Sequence, residues 1–189
     1  MPISLASTSA SSMHGAVVPI AYAPLSSSGL FVFTNIPQNY QDLRIVAFLR
    51  SNASSTTDQA AFWFGNYGAN IYGETYLLGD GSSASSSRGS AQAVFQSSSI
   101  IPAATSTSGV YGSVTIDILN YANTSTYKTV ITRTAADTNG SGSTRLAVGS
   151  YQSTSAISSK ITIVANNATS QFFASGSSVA IYGIRTVNQ

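Results

Sequence analysis

The chain has 189 residues, of which 7% are charged and 43% hydrophobic, with no cysteine and a formal net charge of +2. No disulfide framework or thiolate metal centre is possible without cysteine, and the apolar content excludes disorder throughout. The eight basic residues are scattered rather than clustered, which excludes the basic stripe of a nucleic-acid groove.

An average globular chain carries about 25% charged residues; here 35 Ser and 19 Thr supply the surface polarity instead. There is one Glu (Glu74), and there are two Lys (Lys128 and Lys160), so the usual helix-surface residues are nearly missing. Val, Ile, Thr, Tyr and Phe are plentiful, as strands prefer.

Residues 1–15 are rich in Ser, Thr and Ala and read as an extended arm. The first twenty residues lack the basic and apolar regions of a signal peptide. No run approaches the roughly 18 apolar residues of a membrane helix, so synthesis and folding in a cytoplasm are expected. "AVVPIAY" (16–22) reads as a strand that Pro19 confines to an edge. "GLFVFTN" (29–35) is a strand with bulky groups on both faces, and "IPQNYQ" (36–41) is a turn set by Pro37. "DLRIVAFLR" (42–50) places Leu43, Ile45, Ala47 and Leu49 on one face, with Asp42, Arg44 and Arg50 on the other beside Val46 and Phe48.

After a loop at 51–59, "AAFWFGN" (60–66) and "NIYGETYLL" (70–78) read as strands. "GDGSSASSSRGS" (79–90) has the composition of a flexible surface loop. "AQAVFQ" (91–96) is expected to be a short strand, and "IIPAATSTSG" (100–109) another loop. "SVTIDIL" and "YKTVITRT" alternate around the polar tip "NYANTST". The series ends with "DTNGSGS" as a turn and strands at 144–152, 158–166 and 178–186. About ten short strands and no helix predict an antiparallel β-sandwich or barrel. The organisation is an N-terminal arm and edge segment over 1–28 and one β domain over 29–189.

Chemistry-bearing residues are sparse. His14 is the sole histidine and lies in the arm, where it is a poor base for a Ser–His–Asp triad. The six acids show no spacing that pairs two of them across a sugar. "DTNGSG" resembles the start of a calcium loop but lacks its closing acid, because "STRLAV" follows. No catalytic, cofactor-binding or metal-binding residue is therefore assigned. The aromatics are the remaining signal. "FVF" (31–33) and "FWF" (62–64) put rings on both faces of their strands, so one ring of each set needs the core and the other a neighbour, a subunit or a sugar.

The segments "FTNIPQNYQDLRI", "GNYGANIYGETYLLGDGSS", "IDILNYANTSTYKTV", "DTNGSGS", "SYQSTSAISSKITI" and "FFASGSSVAIYGIR" occur in that order. In this the chain resembles the virion structural proteins of tailed bacteriophages. The resemblance covers roughly residues 29–186. It implies a jelly-roll-like β-sandwich with no catalytic residue, serving as a capsid decoration (cement) protein or as a tail or fibre component. The first reading is decoration: the protein would bind across joints between major capsid proteins and stabilise the shell, as a homo-oligomer, a trimer, needing neither nucleic acid nor membrane nor cofactor. It would be made in the host bacterial cytoplasm and end in the virion. The alternative is a tail-fibre or receptor-binding module contacting host-surface glycan. Candidate interface residues are Pro2, Ile3, Leu5, Met13, His14, Val17, Val18, Tyr22 and Trp63, followed by the 51–59 and 79–90 loops.

Overall fold

A computed structural model describes residues 17–96, 99–138, 141–166 and 170–185. None of the described residues is helical. In chain order the strands are β1 (Val17–Pro24), β2 (Phe31–Thr34), β3 (Asp42–Leu49), β4 (Thr57–Asp58), β5 (Ala60–Phe64), β6 (Tyr72–Gly79) and β7 (Ala84–Gln92). They continue as β8 (Ile101–Pro102), β9 (Gly112–Ile118), β10 (Lys128–Asp137), β11 (Gly142–Tyr151), β12 (Lys160–Ala165) and β13 (Ser178–Ile184).

The fold is the expected all-β antiparallel sandwich, with unequal layers. An eight-stranded sheet runs β1-β13-β3-β9-β10-β11-β6-β7, and a three-stranded sheet runs β2-β12-β5. A two-stranded ribbon joins β4 to β8. The chain crosses repeatedly between layers: β2, β5 and β12 lie in the small sheet, while β3, β6 and β13, which follow them, lie in the large one. β1 is an edge strand, as Pro19 requires, and its register with β13 shifts between Pro19 and Ala21.

Period-two alternation decides which face is buried. In β3, Leu43, Ile45, Ala47 and Leu49 are buried, as their spacing predicts. The same face continues through Ile116 of β9, Val130 of β10, Ala147 of β11 and Tyr72 of β6. Between the layers, Phe62, Phe64, Tyr72, Phe95 and Tyr151 form a cluster with ring centroids 4.9–6.3 Å apart. Tyr72 also uses its hydroxyl. It accepts from the Phe64 amide (3.0 Å) and donates to the Phe64 carbonyl (3.1 Å), so its burial leaves no polar atom stranded. That burial pushes the Tyr72 phenol well above its ordinary pKa.

Three expectations are corrected. The 79–90 segment is not a loop beyond its turn: residues 84–92 form β7, paired with β6 from Gly79↔Ala84 to Tyr72↔Gln92. Its composition hid this because a Ser-rich edge strand is held by main-chain bonds and shows no apolar alternation. The short strand expected at 91–96 ends at Gln92, and Phe95 makes an isolated bridge to Phe62. The 100–109 loop begins with β8. Trp63, the ring expected to need a neighbour, a subunit or a sugar, is 8% exposed and packs edge-on against Tyr67 at 5.3 Å.

Arg50 organises the loop that follows β8. Its guanidinium donates to the carbonyls of Thr107 and Val110 (both 2.8 Å), Ser106 (3.0 Å) and Ala104 (3.3 Å). Lysine has no planar fork to reach four carbonyls at once. Arg50→Lys is expected to cost about 1–3 kcal/mol and to speed amide hydrogen exchange across 104–110. Gly149 makes room for Phe95, since a Cβ there would stand 2.3 Å from Phe95 Cε1 and 3.0 Å from the Gly73 carbonyl oxygen. Gly149→Ala is expected to destabilise the chain by about 2 kcal/mol in chemical denaturation.

Candidate functional site

The large sheet has a second face, and the described chain lays no other sheet over it. Strand register places its outward side chains in rows. One row runs Tyr182, Arg44, Asp117, Ile131, Val148 and Thr75 across β13, β3, β9, β10, β11 and β6. The next runs from Tyr22 and Ala180 through Val46, Thr115, Arg133 and Leu146 to Leu77. Seven inter-strand spacings of about 4.8 Å make this face roughly 34 Å wide.

Large apolar groups stand open on it. Tyr22 is 69% exposed, Leu77 61%, Leu146 51% and Val148 50%. Leu77 and Leu146 are direct cross-strand neighbours, as are Val148 and Ile131. At its centre Asp117 accepts from two arginines. Arg44 donates through Nε (2.6 Å) and Nη2 (3.2 Å), and Arg133 donates through Nη2. The Asp117 side chain is 8% exposed, whereas those of Arg44 and Arg133 are 39% and 54% exposed. The hydrogen bond to Asp117 raises the Arg44 pKa further. The arrangement presents two oriented guanidinium groups to solvent with one carboxylate beneath them. Chemically it can bind a surface but offers no nucleophile or proton shuttle.

A cleft borders this face at one end of the sheet. Its walls include Phe48 with Tyr111 on one side and the turn after β6 on the other. Asp80 builds that turn. Its Oδ1 accepts from the Ser82 amide (2.9 Å), the Ser82 hydroxyl (2.9 Å) and the Ser83 amide (2.7 Å), and its Oδ2 from the Ser83 hydroxyl (2.9 Å). The backbone bonds from Ser82 and Ser83 come first among the causes that hold this carboxyl well below the usual range.

Of the residues singled out in the sequence, Pro2, Ile3, Leu5, Met13 and His14 lie outside the described residues. Val17 and Tyr22 are exposed and Val18 half-buried on β1, while Trp63 is buried. Tyr22 therefore joins the open face and Trp63 does not. The sequence had set Arg44, Val46 and Phe48 apart from the core face of their strand. It carried no sign that Asp117 and Arg133, 73 and 89 positions after Arg44, would close on it. Among the described residues no group of three His, Cys, Asp or Glu side chains could hold a metal ion.

No family model, curated protein or solved structure is significantly similar to this chain.

The Asp80 carboxyl has a folded pKa below its unfolded one. Its contribution to turn stability is therefore complete above the ordinary value of about 3.9 and is lost as pH falls from there through the lowered folded value. In a carbon-detected NMR titration Asp80 is expected to keep its charge to lower pH than a free aspartate, and Ser83→Ala to move the midpoint upward.

Proposed function

We propose that this chain is a non-enzymatic virion structural protein, a capsid decoration protein that docks on the major capsid protein through the outer face of its eight-stranded sheet. The observation that carries this reading is the open face itself. Exposed Leu77, Leu146, Val148 and Tyr22 surround the Arg44–Asp117–Arg133 cluster. The two rows cover about 34 Å by 14 Å, on the order of 480 Å², the size of a weak contact that repetition must strengthen. Apolar patches of several hundred Å² on a soluble chain mark interaction sites. Arginine, tyrosine and large apolar residues are the types that interfaces favour.

The surface chemistry supports repeated docking. Outside the Arg44–Asp117–Arg133 cluster few charges must be stripped of water on contact, because hydroxyls replace them. The two arginines are already held by Asp117, so little side-chain entropy remains to be lost when a partner covers them. A trimer would present three such faces to a symmetric lattice, and linked weak contacts become strong through effective concentration. The sequence resemblance to phage virion proteins points to the same class.

Quantitative mass spectrometry of purified particles tests the reading. A copy number equal to that of the major capsid protein, or a simple fraction of it, is expected. A handful of copies would place the chain on a tail or vertex, and absence from particles would remove it from the virion. Leu77→Ser with Leu146→Ser, which leaves the Arg44–Asp117–Arg133 cluster intact, is expected to keep the melting temperature near wild type, since both side chains are exposed. The same pair should cut shell occupancy at least tenfold, at about 1.4 kcal/mol per tenfold, in a pull-down with undecorated shells.

A further inference from the structure

The cleft at the end of the sheet is distinct from the apolar face and has its own chemistry. Register builds its floor from one row of outward residues: Phe48 of β3, Ser113 of β9, Ala135 of β10, Thr144 of β11 and Gly79 of β6. Between Phe48 and the Asp80 turn nothing on this floor is larger than threonine. Four strand spacings make the trough about 19 Å long; it is widely open to solvent, with a space of about 870 Å³ over its floor.

One end is an aromatic platform. Phe48 stacks on Tyr111 with centroids 4.6 Å apart and an interplanar angle of 16°. The Tyr111 hydroxyl donates to the Ser175 carbonyl (2.6 Å), which holds that ring in place. Phe48 is 48% exposed, so part of its surface remains open. The other end carries the Asp80 carboxylate, with Asp137 and Ser143 beside it on the β10–β11 hairpin. Among the described residues no Lys or Arg lines the cleft.

We propose that this trough binds a neutral, linear oligosaccharide. An apolar ring wall suits the C–H face of a pyranose. Carboxylates accept from sugar hydroxyls, and Ser and Thr hydroxyls both donate and accept. Few polar groups converging on a partly apolar cleft is the general form of a small-ligand site. Two alternatives fail on the same observations. An anionic polymer would meet carboxylates with no cation to receive it. An extended peptide would need free main-chain groups for strand addition, but β9, β10 and β11 are interior strands paired on both sides.

The inference does not depend on where the chain is mounted, since the trough lies beyond the rows that carry Arg44, Arg133 and Leu146. Its test uses the full chain in calorimetry and NMR shift mapping, with linear hexamers of glucose, mannose and N-acetylglucosamine as probes and a heparin hexasaccharide as the anionic control. At least one neutral hexamer is expected to saturate below about 5 mM, shifting amide signals of Ser113, Ala135 and Thr144. Phe48→Ala should weaken it roughly tenfold. Ala135→Trp, on an exposed strand position in the middle of the floor, should abolish it with the circular dichroism and melting unchanged. If Ala135→Trp does not fold, Ser113→Tyr fills the same row. The proposal is overturned if no neutral hexamer saturates by about 10 mM, if a filled trough binds as well as wild type, or if only the heparin fragment shifts these signals.

Discussion

Five aromatic rings packed between two unequal sheets are the contact on which the rest of this structure depends. Phe62 and Phe64 come from the small sheet, Tyr72 and Tyr151 from the large one, and Phe95 from the segment that follows β7. Each large ring removes on the order of 150–250 Å² from water, and their tilted and edge-on geometry adds directional preference to that burial. The cluster also explains local choices that look arbitrary in isolation. Gly149 is a glycine because Phe95 occupies the space of its side chain, and Tyr72 is a tyrosine because the Phe64 peptide group needs its hydroxyl.

The inequality of the layers has a consequence for function. Three strands and the connecting segments close the inner face of the eight-stranded sheet, while its outer face meets solvent. A solvated sheet face is ordinarily polar at alternate positions, and much of this one is: Thr75, Thr115 and Ser113 follow that rule. Leu77, Leu146, Val148 and Val46 do not. Such departures from local patterning gather where a protein uses its surface.

Charge is scarce in this chain, so its placement is informative. Arg50 ties down a long connection through four carbonyls. Arg145 is buried over the Tyr76 ring at 4.2 Å on the inner face, and desolvation lowers its pKa. Arg44 and Arg133 share Asp117 on the outer face. Several of the few charges thus hold architecture in place, and hydroxyls make the remaining surface wettable. A surface of this kind meets a partner with little electrostatic desolvation to overcome.

What the sequence by itself determined was local. Period-two alternation named the buried face of β3 and of the β9–β10 hairpin, Pro19 placed β1 at an edge, and the wealth of strand formers with few helix formers set the all-β class. These signals lie within a few residues of chain, where backbone geometry alone links spacing to face. What only the tertiary structure decided was non-local. β7 exists because the β6 edge offers main-chain partners to a Ser-rich segment that has no pattern of its own. The Arg44–Asp117–Arg133 cluster joins two neighbouring rows that run across strands, and the trough from Phe48 to the Asp80 turn follows a third. Each member comes from a different part of the chain, and only the pairing register, set by burial of the inner face, brings them side by side.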